Sequence, residues 1–197
     1  MRIIFVARYY LVKMFLFGSF TGLVLTLIPI CSADQNAPEL NRLFDRLKFA
    51  QSSSDARIIE NQIWRVWFKT PDKNSKDKLF IARQNVQQGN LSGAQELLDE
   101  IIHSHPEYAE AWNQRAIVKF LSDDLEGSLY DIEQTLHLEP RHFGALSGRG
   151  QCLLRLRRYR EALASYREAL AINPQNHSIK RHVFLLEEQL GKKITPI

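Results

Sequence analysis

At 197 residues, 45% hydrophobic and 24% charged, the chain has the composition of an ordinary globular protein and is long enough for one domain or one short array. Three of its 26 basic side chains, Arg2, Arg8 and Lys13, lie in a leader of 33 residues that holds no acid. The other 23 nearly balance the 22 acids, so the net charge of +4 argues for no nucleic-acid partner, which needs a clustered basic face.

The chain opens with the order of a secretory signal. A basic start, residues 1–13, precedes the uncharged, largely apolar Met14–Ile30, and Cys31-Ser32-Ala33 supplies small residues before polar sequence from Asp34. Residues 1–33 are therefore read as a signal peptide cut before Asp34, or as an uncleaved membrane anchor through 14–30; only the anchor gives membrane contact. Either places the rest outside the cytoplasm. Ile30 argues against an acylated Cys31, because the residue before such a cysteine is normally small. Removing the leader leaves Cys152 as the only cysteine, read as a buried, inert thiol.

Residues 34–72 predict a helical hairpin. Pro38 opens a helix whose apolar face is Leu40, Leu43, Phe44 and Leu47. Ser52-Ser53-Ser54 breaks it, and Asp55 is the expected N-cap of the next. Ile59, Ile63, Val66 and Trp67 form the second stripe, widened by Trp64 and Phe68, and Thr70-Pro71-Asp72 ends it. The pair reads as a degenerate repeat or cap, its aromatics as core.

From 73 the chain repeats. Pro106, Pro140 and Pro174 close segments 73–106, 107–140 and 141–174 at a period of 34. Ala82, Ala116 and Gly150 share one position; Ala94, Ser128 and Ala162 share another; Leu98, Ile132 and Tyr166 a third. Small residues recur where two helices approach closely, and large apolar ones between them. The expected helices are 75–88 with 92–104, 109–121 with 125–138, and 143–156 with 159–172. Gly89 should take a left-handed conformation and Ser92…Gln95 form a capping box. After Pro174, Asn176 caps a last helix, 177–190, with Ile179, Val183, Leu186 and Leu190 inward and Gly191 as its stop. Segment 175–197 is this end helix and a tail.

Trp112 with Ala116, the small residue at 94, 128 and 162, and the closing Pro resemble the tetratricopeptide repeat family. Segment 73–106 departs from that pattern at Lys78. The leader, the hairpin and the strings NQRA and EPRHFGALSG are similar to a group of exported tetratricopeptide proteins of alphaproteobacteria. The resemblance implies an all-α, right-handed helical-hairpin solenoid of three repeats, with an N-terminal hairpin and a C-terminal capping helix. It also implies export and protein binding.

No catalytic constellation, cofactor motif or metal site is legible. His103 and His105 are two apart and so diverge on a helix. Neither His142 nor the pair His177 and His182 has partners at ligand spacing. Gly148-Arg149-Gly150 lacks the third glycine and the preceding strand of a nucleotide loop. The resemblance assigns the first helix of each repeat to a concave groove. Arg83 and Gln87, then Asn113, Ile117 and Phe120, then Gln151, Leu154 and Arg155 are thus the candidate partner-binding residues, with Leu79, Val86, Leu121 and Ser147 beside them. Apolar side chains there bury a peptide and amides bond its backbone. Relatives that clamp the C-terminal carboxylate of cytosolic chaperones carry Lys and Asn at set groove positions. Leu79 and Arg83, then Asn113 and Ile117, stand there, which disfavours that ligand. The expected function is a non-enzymatic adaptor of the bacterial envelope that binds a protein segment; the alternative is a self-associating structural protein.

Overall fold

A computed structural model describes residues 38–192; residues 1–37, which include the leader, and 193–197 lie outside them. Among the described residues the chain forms nine helices and no strand. These are α1 (Pro38–Lys48), α2 (Ser53–Trp67), α3 (Lys73–Gln87), α4 (Leu91–Ser104), α5 (Ala109–Leu121), α6 (Leu125–Leu138), α7 (Phe143–Arg155), α8 (Tyr159–Ile172) and α9 (His177–Lys192). None is long and apolar enough to cross a membrane.

Helices α3/α4, α5/α6 and α7/α8 are antiparallel pairs, each packed on the next, with α9 against α8. The recurrent small residues set this stacking. Ala82, Ala116, Ala94 and Ala162 are almost wholly buried, as small residues at close helix contacts should be. Ser128, at the same position as Ala94 and Ala162, is also buried and donates its hydroxyl to the Ala116 carbonyl at 2.8 Å. Leu79, Leu98, Ile101 and Val118 fill the first interior, and Leu146, Leu153, Leu163 and Tyr166 the last. The result is an all-α solenoid of helical hairpins.

Each intra-repeat turn needs one left-handed residue. Gly89 (φ 78°), Asp123 (φ 66°) and Arg157 (φ 59°) stand at the same repeat position. Only the first is glycine. A residue with a Cβ loses roughly 1–2 kcal/mol in this conformation, while glycine forfeits about 0.5–1 kcal/mol of chain entropy. Arg157→Gly is therefore expected to stabilise the chain by about 0.5–1 kcal/mol. A thermal melt should rise by a few degrees, and a fall would show that the turn is not strained. Asp123→Gly should gain less, because it also removes the Asp123–Arg155 ion pair at 2.6 Å.

The caps differ from expectation at three places. Ser52, not Asp55, caps α2 and accepts from the Asp55 N–H. Asn90, not Ser92, caps α4 through the Gly93 N–H, as Asp124 caps α6 through Gly127. In each case the residue in the extended or intermediate conformation just before the helix is the one that can reach back to N3. Gly191 does not stop α9, which runs through it to Lys192.

The hairpin α1/α2 packs not face to face with α3 but against α8 and along the turns that precede α5, α7 and α9. Tyr108 donates its hydroxyl to the Trp67 carbonyl at 3.1 Å. Arg141 donates to Asn41 at 2.7 Å and lies 4.3 Å over the Phe44 ring. Asn173 donates to Glu60, Gln175 donates to the Ala50 carbonyl at 3.1 Å, and Ser53 bonds His177 at 2.5 Å. The hairpin thus binds one edge of the array, turn by turn.

Candidate partner-binding groove

The groove starts from helical spacing. On α5, Asn113, Ile117, Phe120 and Leu121 fall at i, i+4, i+7 and i+8, and on α7 Gly144, Ser147, Gly148 and Gln151 fall at i, i+3, i+4 and i+7, so each set shares one helix face. With Asn176, just before α9, and Ile179 of α9 they line a cleft of about 500 Å³. Ala116, Ser128, Ile132 and Cys152 lie among its lining. One end is walled by α2, which contributes Glu60 and Trp64, with Phe143 beside them. Gly144 admits that wall: a Cβ there would come within 2.7 Å of the Trp64 ring.

Behind the wall lies a buried polar cluster. Glu110 is 1% exposed and accepts from Asn113 at 3.2 Å and Gln114 at 2.6 Å. His142, fully buried, bonds Glu110 through Nε2 at 3.0 Å and accepts from the Ala145 N–H at Nδ1. The bond at Nδ1 leaves the proton on Nε2, which donates to the carboxylate. The imidazole stacks 4.0 Å from Trp67 at an interplanar angle of 11°, and Trp64 meets both rings edge-on. A buried carboxylate is tolerable only when bonded in this way.

Half-buried Glu60 behaves differently. Burial holds its carboxyl above the usual carboxylate range, against the opposing pull of the Asn173 bond and of Arg57. Cys152 donates to Ser128 at 3.3 Å, and burial pushes its thiol up, which makes it a poor nucleophile. No His, Lys or Arg is among the described lining residues, and among the described residues no three His, Cys, Asp or Glu converge as a metal site.

Of the candidates read from the sequence, Asn113, Ile117, Phe120 and Gln151 line this cleft. Arg83 and Gln87 are exposed on α3, and Arg83 lies 4.6 Å over the Phe68 ring. Leu154 packs against the Leu146, Leu153 and Leu163 cluster. Arg155 sits over the Phe120 ring at 5.0 Å and donates to the Phe120 carbonyl and to Asp123. Sequence reasoning did not find Glu60, Trp64, Phe143, Gly144, Asn176 or Ile179 in the groove: Glu60 and Trp64 depend on where the hairpin folds, and the others lie at the start of α7 and around the start of α9, beyond the positions the resemblance assigns to the groove. The signal available was polar: Glu110, Glu139, His142 and Asn173 are all buried at or beside the inter-repeat turns.

Two tetratricopeptide repeat profiles match, one over residues 81–136 and the other over 144–176. A tetratricopeptide repeat-containing protein of Rhizobium etli, an alphaproteobacterium, is 32% identical over 152 residues, covering 77% of this chain and 74% of that protein. Among solved structures, the Sgt2 tetratricopeptide domain of Aspergillus fumigatus superposes with a TM-score of 0.60 at 17% identity, over 65% of this chain and 88% of that one. The first tetratricopeptide domain of Spaghetti (RPAP3), bound to the HSP90 peptide SRMEEVD, gives 0.58 at 18% identity, over 60% of this chain and 94% of that one. On repeat, fold and relative together, the chain belongs to the tetratricopeptide repeat family.

Proposed function

We propose that the protein is a non-enzymatic interaction module of the bacterial envelope that takes a segment of a partner protein in the groove between α5, α7 and α9. The observation that carries this reading is Ile117 and Leu121, 42% and 51% exposed on the concave face. Two large apolar side chains left this open in a cleft flanked by Gln151 and Asn176 match what a peptide needs: burial for its side chains and amides for its backbone. That the Spaghetti domain holds a peptide is in keeping with it. Envelope placement rests on the leader, whose residues lie outside the described part of the chain.

The test is positional. A photo-crosslinking side chain at Leu121, introduced into the full chain in intact cells, should capture a partner protein recovered with the envelope fraction. The same group at exposed Arg160 on α8 should not. Equal capture at both sites defeats the groove reading. A covalent dimer from Leu121 alone would instead favour self-association.

A further inference from the structure

The charge of the groove is one-sided. Among the described lining residues Glu60 is the one charged side chain, and it stands at the wall that the hairpin provides. Asn173 donates to its Oε1, and no hydrogen bond reaches Oε2 among the described residues. Arg57, three residues earlier on α2, is the cation that acts on it from its own helix. Glu110 lies on the same side, behind Asn113, and is committed to His142, Asn113 and Gln114. At the opposite end, where α5 terminates, the cation is Arg155, and Asp123 already neutralises it. A ligand carboxylate would find no cation among the described lining residues, whereas a ligand cation would find a half-buried carboxylate with an oxygen that no described residue bonds.

Resting on the groove reading above, we infer that the partner segment is apolar and basic, and that it binds with a lysine, arginine or terminal amine against Glu60 at the hairpin end. Ile117, Phe120 and Leu121 receive its apolar residues at the other end. The cleft thus fixes the direction of the segment as well as its charge. A half-buried carboxylate supports such a pair better than an exposed one, since water screens it less.

A phage-displayed library of random 12-residue peptides, panned on the purified full chain, tests this. The expected winners combine apolar residues with Lys or Arg and are depleted in Asp and Glu. Each winner, made as a labelled peptide, should bind about three- to tenfold more weakly to Glu60→Gln, in line with loss of a partly buried ion pair. That substitution keeps the oxygen that Asn173 bonds, and circular dichroism checks the fold. Ile117→Asp should abolish binding. Acidic winners that are still lost with Ile117→Asp would overturn the basic partner while leaving the groove intact. Basic winners indifferent to Glu60→Gln would overturn the assignment to Glu60. A library that enriches nothing over the Ile117→Asp protein removes the groove reading and this inference with it.

Discussion

Trp67→Ala is expected to cost about 3–5 kcal/mol, the range for truncating a buried tryptophan. Trp67 is 2% exposed and touches both layers that the hairpin joins. Its ring meets Phe44 at 5.9 Å and Trp64 at 5.1 Å within the hairpin, and His142 at 4.0 Å and Phe143 at 5.0 Å across it. Its carbonyl takes the Tyr108 hydroxyl. Truncation leaves a cavity on the stacked face of His142, one of the three side chains that bond Glu110. A chain of this size should lose roughly 10 °C of melting temperature. Limited proteolysis should cut the 68–72 connection before the repeats, since the hairpin edge opens first. Trp67→Phe separates shape from polarity. The indole N–H is buried with no acceptor among the described residues, so losing it removes a penalty. Trp67→Phe should therefore cost less than half as much as Trp67→Ala. Equal losses for the two would mean that the stack does not hold the hairpin.

That lock shows where sequence reasoning stops. Helix identity followed from period: three proline-closed segments, small residues at fixed positions and apolar stripes in 34–72 placed every helix within a few residues. Four residues that line the cleft, Asn113, Ile117, Phe120 and Gln151, came from the resemblance to the tetratricopeptide family, which periodicity alone does not supply. The hairpin's docking came from neither, because it depends on contacts between residues about a hundred positions apart, such as Asn41 with Arg141 and Glu60 with Asn173. Periodicity reports which face of a helix is buried, not which neighbour buries it. Arg155 illustrates the second limit. Its place on α7 was legible, but its ion pair with Asp123 depends on the left-handed turn that turns that side chain back.

Gly150→Ala is expected to destabilise, although the repeat pattern alone says otherwise. Position 150 holds alanine in the other two repeats, as Ala82 and Ala116, and a helical Gly→Ala exchange normally gains up to about 1 kcal/mol. Here an added Cβ would lie 2.6 Å from Cζ of Tyr166, which is 0% exposed and stacked on His182 at 4.9 Å. A buried ring held on its other face cannot move aside cheaply. Overpacking of this kind costs about 1–3 kcal/mol, which outweighs the propensity gain. The repeats without the glycine have Leu98 and Ile132 at the ring's position, so Gly150 and Tyr166 form a compensating pair. Tyr166→Leu alone opens a cavity, partly offset by losing a buried hydroxyl that has no partner among the described residues. In the Tyr166→Leu background, Gly150→Ala should then reverse sign and stabilise, by up to about 1 kcal/mol. A double-mutant cycle in urea reads the coupling directly. If Gly150→Ala changes stability equally in both backgrounds, the ring is not what excludes the methyl group.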